Sequence, residues 1–237
     1  MGGRNVKNTI VERMLQIVAP HHCFGCGNIG TLLCADCKND IINEPFNGCI
    51  VCGVPSRRGI CQFHHLPIER TFVVGERVGT LEKLINATKF AHLHAGARTL
   101  AELLDDFLPG LPGDAQLVPI PTAPSHIRHR GYDHVDILTR LVAEFRDIPV
   151  VTALERRTNL TQHVVNRRVR HQQAQTAFAS TVMEQTLGGT VIIIDDVITT
   201  GATVVAAAQQ LAAIMKPASA IWVVAMAYQP YNPSTEQ

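Results

Sequence analysis

The sequence predicts an α/β fold: a mostly parallel sheet with helices on its faces, preceded by a small cysteine-rich metal module. Three observations predict it. All seven cysteines of the 237-residue chain lie between Cys23 and Cys61. From Thr71 onward, short β-branched runs alternate with segments of helical periodicity, as in a parallel sheet whose strands are joined by helices. A continuous apolar run, Val191–Ile194, leads into two acids, a Thr/Gly turn and a further helical segment. Strands buried on both faces read as such unbroken runs.

Val6, Ile10, Met14 and Val18 recur at helical spacing, which predicts an amphipathic helix within residues 1–19 that packs on the metal module. Arg4, Lys7, Glu12 and Arg13 interrupt any apolar core a signal peptide would need, and Val6 stands where a myristoylation motif needs Ser or Thr. A cytoplasmic location is expected. Residues 20–66 form the cysteine module, 67–230 the sheet domain, and 231–237 a frayed polar tail.

The module reads Cys23-x2-Cys26, Cys34-x2-Cys37, Cys49-x2-Cys52 and Cys61-x2-His64. Two residues between ligands let one tight turn aim both at a single ion, and thiolate with imidazole is a zinc preference. The set suffices for up to two tetrahedral zinc ions. Gly27 and Gly53, each just after a pair, suit a left-handed turn. The spacing leaves open whether the pairs combine sequentially or crosswise, and whether His64 or His65 is the ligand. Closed four-ligand sites are structural, so the zinc is expected to fold the module.

In the sheet domain, Thr71–Val74 predicts a strand. Residues 79–107 predict two helices with a break near Ala91–Ala95. Leu117–Pro121 predicts a strand ended by prolines. Val135, Leu138, Leu141, Val142 and Phe145 predict a helix, and Pro149–Thr152 a short strand. Val191–Ile194 predicts a buried strand, Ala202–Met215 a helix with a small-residue face, and Ala220–Met226 another buried strand. Trp222 is expected in the core. Between Leu154 and Gln175, Arg156, Arg157, Arg167, Arg168 and Arg170 face a single acid, Glu155, a local +4 inside a chain of net +1. This segment is expected to be a mobile loop or hairpin that pairs with phosphate oxygens or with a nucleic-acid backbone.

Hydrophobic residues make up 46% and charged residues 17%, a globular composition. The near-zero net charge excludes a globally basic nucleic-acid binder. No apolar run is long enough to span a membrane.

The sharpest motif is residues 191–203, from Val191 to Thr203. A buried strand here meets Asp195 and Asp196 at its carboxyl end, where open α/β sheets bind ligands. Thr199, Thr200, Gly201, Ala202 and Thr203 then lead into a helix N-terminus, which attracts a phosphate. Two carboxylates beside a phosphate make sense if they accept hydrogen bonds from sugar hydroxyls or hold Mg²⁺. The residues therefore point to a ribose 5-phosphate site.

These thirteen residues resemble the phosphoribosyl pyrophosphate (PRPP) signature of type I phosphoribosyltransferases. The resemblance implies that Asp195 and Asp196 bind the ribose hydroxyls and that Thr199–Thr203 bind the 5-phosphate. A zinc-knuckle module followed by such a domain resembles the ComF/GntX family, whose founding members are linked to DNA uptake in competent bacteria and to gluconate use. Lys89-Phe90 resembles that family's Lys-aromatic motif. Val118–Pro121, followed by Arg128, Arg130, Gly131 and Tyr132, resembles its pyrophosphate-loop segment. Arg157, Thr161, Gln162, Arg170 and Phe178 align with its flexible-loop segment. The resemblance covers most of residues 20–228 and implies that Lys89, Arg128, Arg130, Arg157 and Arg170 contribute to PRPP binding, with Mg²⁺ as companion ion. Four positions depart from the family pattern. Asp133-His134 stands for the usual Asn-Gln, Gln173 for Asn, and His64 for a frequent Cys.

The expected activity is transfer of a 5-phosphoribosyl group from PRPP to an acceptor the sequence does not name, releasing pyrophosphate. Asp195 and Asp196 are the residues expected to hold the ribose as charge develops. The alternative is a non-catalytic accessory factor that binds single-stranded DNA and partners of a competence machinery, with the PRPP fold as a sensor. His126, His129, His134 and His171 are read as surface residues near the phosphate loops.

Overall fold

In the computed structural model, residues 21–90, 94–156, 177–183 and 187–230 are described. The helix predicted within 1–19, the tail at 231–237 and residues 157–176 of the basic segment lie outside them. The elements are α1 (Ala35–Asn43), β1 (Arg70–Glu76), α2 (Gly79–Phe90), α3 (His94–Phe107), β2 (Gln116–Pro119), α4 (Pro124–Arg130), α5 (His134–Arg146), β3 (Leu154–Arg156), β4 (Phe178–Ser180), β5 (Thr190–Ile198), α6 (Ala202–Ala212) and β6 (Ala220–Tyr228).

The apolar runs of β5 and β6 place these strands at the centre of a four-stranded sheet ordered β1-β6-β5-β2. All three pairings are parallel. Side chains on a strand alternate between faces, and the core divides accordingly. Val191 and Ile193 of β5, with Ile221, Val223 and Ala225 of β6, pack against Val204, Val205 and Leu211 of α6. Ile192 and Ile194, with Trp222, Val224 and Met226, pack against Leu84 and Ile85 of α2, Leu103 and Leu104 of α3, and Leu138 and Val142 of α5. The result is a sheet between two helical layers. No helix among the described residues is long and apolar enough to cross a membrane.

The cysteine module does not sit apart from this domain. Its first half (Cys23, Leu32, Leu33) joins the core on the α2/α3/α5 face. Its second half (Cys49, Ile50, Val51, Cys61) joins the core on the α6 face. The two halves therefore cover opposite faces of one sheet. α1 is held to α3 by the Lys38–Asp106 ion pair.

Several predicted elements differ in extent. Pro149–Thr152 is not a strand: only Val150 forms a parallel bridge, to Leu117. The N–H of Leu117 reaches Pro149 O at 2.9 Å and that of Val151 reaches Leu117 O at 2.8 Å; Pro149 has no N–H with which to extend the ladder. The helix predicted to Met215 ends at Ala212, since the chain must turn ahead of Pro217. The strand predicted to stop at Ile194 continues to Ile198, so both acids lie within the ladder. β3 and β4 pair antiparallel, with Arg156 opposite Phe178.

Candidate functional site

The strand period sets the two acids apart. Asp195 shares the face of Val191 and Ile193, and Asp196 that of Ile192 and Ile194. Asp196 therefore turns toward α2 and α5, where its Oδ2 accepts hydrogen bonds from Lys89 Nζ and His134 Nε2. Its Oδ1 accepts the Val197 N–H at 2.6 Å. Burial works against the charge of Asp196, but Lys89 and the hydrogen bond from His134 outweigh it and hold the carboxyl well below the usual range. Asp195 is only 9% exposed. Burial, reinforced by the neighbouring Asp196, pushes its carboxyl up to about 8. Near neutral pH the pair thus carries one firm negative charge and one carboxyl poised to change state.

His134 is not a surface residue as the sequence reading had it. It is 8% exposed, in the first turn of α5. Arg130 Nη1 lies 3.1 Å from its Nδ1. An arginine only donates, so Nδ1 accepts and the ring proton sits on Nε2, aimed at Asp196. His134 is thus a contact to the second acid. Its neighbour Asp133 caps α5, its Oδ1 accepting the N–H of Val135 at 3.1 Å and of Asp136 at 3.2 Å. Thr122 Oγ1 donates to the same carboxylate at 2.8 Å. Tyr132 O–H donates to Thr88 O, tying the turn before α5 to α2 one residue from Lys89.

On the other face, Arg156 stands in a half-buried position near Asp195. Its guanidinium lies 5.7 Å from the centre of the Phe178 ring, and its Nη1 donates to Pro121 O at 3.5 Å. Burial lowers its pKa and the Asp195 charge opposes that. His126 is held below its ordinary value first by burial and then by Arg130, Arg156, His134 and Lys89. Lys89, Arg130 and Arg156 thus converge on a place where the protein supplies one firmly ionised carboxylate. That surplus of positive charge suits a polyanionic ligand.

Beyond the acids, Thr199 is exposed, Thr200 and Thr203 are half-buried, and Gly201 and Ala202 are buried. Gly201 takes φ +71° and forms the N-cap of α6, a left-handed turn that glycine enters without penalty. Thr200 Oγ1 accepts the Ala202 N–H at 3.4 Å. The first four N–H groups of a helix have no intrahelical acceptor, so the start of α6 faces the loop with donors to spare. Of the other expected phosphate ligands, Arg128 is exposed on α4, while Arg157 and Arg170 lie outside the described residues, as do Thr161, Gln162, Gln173 and His171. Arg156 was legible only as one member of the basic segment, with no signal to separate it from Arg157.

The cysteines combine sequentially. Cys23, Cys26, Cys34 and Cys37 form one group, and Cys49, Cys52, Cys61 and His64 the other. Within each, the ligand atoms lie within 4.8 Å of one another. A Zn–S bond of about 2.3 Å gives a tetrahedral edge of about 3.8 Å. Cys26 and Cys34 Sγ are 3.7 Å apart, as are Cys52 and Cys61 Sγ, and Cys49 Sγ lies 3.6 Å from His64 Nδ1. Both groups can hold a metal ion, with His64 binding through Nδ1. Burial opposes ionisation of Cys23, but the N–H groups of Cys34, Cys26 and Gly25 outweigh it and bring the thiol down to about 6. The thiol of Cys34 pushes Cys37 up to about 12. Four thiols this close ionise together only around a cation.

A cleft of about 550 Å³ lies between α1, residues 45–55 and the start of α2. Asp40, Glu44 and Glu76 line it and the acid pair does not, which disfavours phosphate there.

No family model matches the chain, and no curated protein matches it.

Proposed function

We propose that this protein binds PRPP and has the type I phosphoribosyltransferase fold of the ComF/GntX family, with structural zinc at both cysteine groups. The observation that carries the reading is the order of groups at the carboxyl end of β5: Asp195 and Asp196, then the Thr199–Thr203 turn into α6, with Lys89, Arg130 and Arg156 converging on the acids. One segment thus offers acceptors for sugar hydroxyls and donors for a terminal phosphate, beside cations for a diphosphate.

In this reading Asp195 and Asp196 accept hydrogen bonds from the ribose hydroxyls. Thr199, Thr200, Thr203 and the first amides of α6 hold the 5-phosphate. The anomeric C–O bond to diphosphate breaks as a bond to the acceptor forms, and the acceptor's proton passes to the departing diphosphate. Positive charge building on the sugar is stabilised by Asp196, which Lys89 and His134 keep ionised and oriented. The departing diphosphate is met by Lys89, Arg130 and Arg156, joined by Arg128, Arg157 and Arg170. Carboxylates beside substrate phosphates are the donor set Mg²⁺ prefers, and Mg²⁺ supplies charge neutralisation when bound with the diphosphate. None of these residues is a dedicated base for one acceptor, so the acceptor is left open.

The accessory-factor reading, with single-stranded DNA and competence partners, rests on the zinc knuckles and the Arg156–Arg170 segment, of which only Arg156 lies among the described residues. A cytoplasmic location remains part of the proposal.

The test is a thermal-shift comparison in Mg²⁺ of ribose 5-phosphate, ribose and inorganic phosphate. Ribose 5-phosphate raises the melting temperature, ribose does not, and Asp195→Asn/Asp196→Asn abolishes the shift. Equal shifts from all three, or a shift that survives the double change, would remove the site from consideration.

A further inference from the structure

We propose that the second metal centre is the floor of the anion-binding turn: an ion at Cys49, Cys52, Cys61 and His64 fixes the Ile50–Val51 backbone on which Thr199–Gly201 rests. A Cβ placed on Gly201 would lie 2.7 Å from Ile50 O and 3.3 Å from Val51 Cγ2. No real side chain tolerates the first distance, so the turn touches the knuckle backbone directly. Cys49 and Ile50 are fully buried, and Val51 is 7% exposed. They share one core with Ile198, just before the turn, and Val204 and Val205, just after it. Phe46 stacks on Tyr228 at 4.0 Å, and Tyr228 is in register with Ile198. The knuckle therefore supports both the turn and the strand ends that carry it.

The knuckle has no regular secondary structure of its own, so its core contacts, its turns and its ligands hold it in shape. Among the described residues, 44–69 contain neither a helix nor a strand, only the single bridge between Gly48 and Pro55. Its internal backbone hydrogen bonds are turn and bridge contacts rather than a ladder: Cys49 N–H to Val54 O at 2.7 Å, Ile50 N–H to Gly59 O at 2.9 Å, Gly53 N–H to Cys49 O at 2.8 Å, Ser56 N–H to Asn47 O at 3.0 Å, Gly59 N–H to Ser56 O at 3.2 Å and His64 N–H to Cys61 O at 3.1 Å. Where backbone ladders are absent, four ligands on one ion supply the constraint. His64 in place of a thiolate also makes this centre one unit less negative, which suits a neighbour that binds an anion.

The first centre differs. Gly25 packs against Cys37 and Thr80 at the start of α2, and its cluster belongs to the opposite face of the sheet. The two centres thus predict different consequences for the same chemical lesion.

The test is hydrogen exchange on the full zinc-loaded chain, with no ligand, comparing His64→Ala and Cys52→Ala with Cys26→Ala. The second-centre changes speed exchange at residues 199–206 about tenfold or more. Cys26→Ala leaves that segment unchanged and loosens the start of α2. Equal effects from both centres, or no effect at 199–206 from either second-centre change, would overturn the proposal. Because no ligand is present, failure of the PRPP reading would leave this result intact. Should the variants not fold, the wild-type chain loaded with Co²⁺ gives a second readout. Ribose 5-phosphate shifts the d–d spectrum of a chain carrying Co²⁺ at the second centre, since linkage is reciprocal. A spectrum unmoved by ligand that demonstrably binds would equally overturn it.

Discussion

Adjacent residues Asp195 and Asp196 have opposite electrostatic fates because a strand sends them to opposite faces. Asp195 is pushed up to about 8, so between the ordinary carboxyl range and about pH 8 the native chain keeps a proton that the unfolded chain releases. Its contribution to stability is intact at acid pH and is lost as pH rises through that window. Asp195→Asn therefore melts higher than the wild type at pH 8 and together with it near pH 4, as read by calorimetry across that range. Asp196 has the reverse sign, stabilising the fold at all but very acid pH. Lys89 and Asp196 form a pair only 12% and 15% exposed, and removing Lys89 leaves the buried carboxylate without its charged partner, held by His134 and the Val197 N–H. Lys89→Met costs about 3 kcal/mol in urea unfolding. Adding Asp196→Asn costs less than the sum of the single changes. The acids and the threonine turn were legible in the sequence because their chemistry is local. The role of His134 was not, since a contact between residues 134 and 196 exists only once α5 packs beside β5.

At the level of elements, apolar runs and helical periodicity located β1, β2, β5, β6 and the long helices. Their ends depended on signals a propensity reading underweights. β5 runs through both acids because the ladder to β6 pairs Asp195 with Ala225 and Ile198 with Tyr228. α1 and α4 were not anticipated, since each is short and amphipathic only in context. Two glycines at positive φ separate backbone strain from close approach. Gly131, at φ +82°, has nothing within 4 Å of a Cβ position, whereas Gly201 meets Ile50 O at 2.7 Å. Gly131→Ala costs about 1 kcal/mol, the strain of a left-handed residue, and Gly201→Ala costs clearly more. Equal costs in denaturant unfolding would show that the knuckle does not press on the turn.

Across the whole molecule, the cysteine spacing told that metal could be bound but not how the pairs combine, since every pair has the same internal spacing. Sequential grouping places one group on each face of the sheet, so each ion closes a short loop against a different half of the core. The arrangement predicts two zinc ions per chain by elemental analysis and a lower melting temperature once a strong chelator is added. One ion per chain, or no change on chelation, would contradict this arrangement. The alternation of strand and helix was enough to give the sheet and its layers, whereas the joining of module to domain required long-range packing to be seen.

The central claim is that the carboxyl end of β5 holds a phosphorylated ribose bearing a diphosphate. Calorimetric titration of Mg²⁺-PRPP into the zinc-loaded protein, beside Asp195→Asn/Asp196→Asn, tests it most directly. Micromolar binding, about −8 kcal/mol, is expected, and it is lost in the double variant. Absence of binding to folded wild-type protein, or equal binding by the variant, would contradict it.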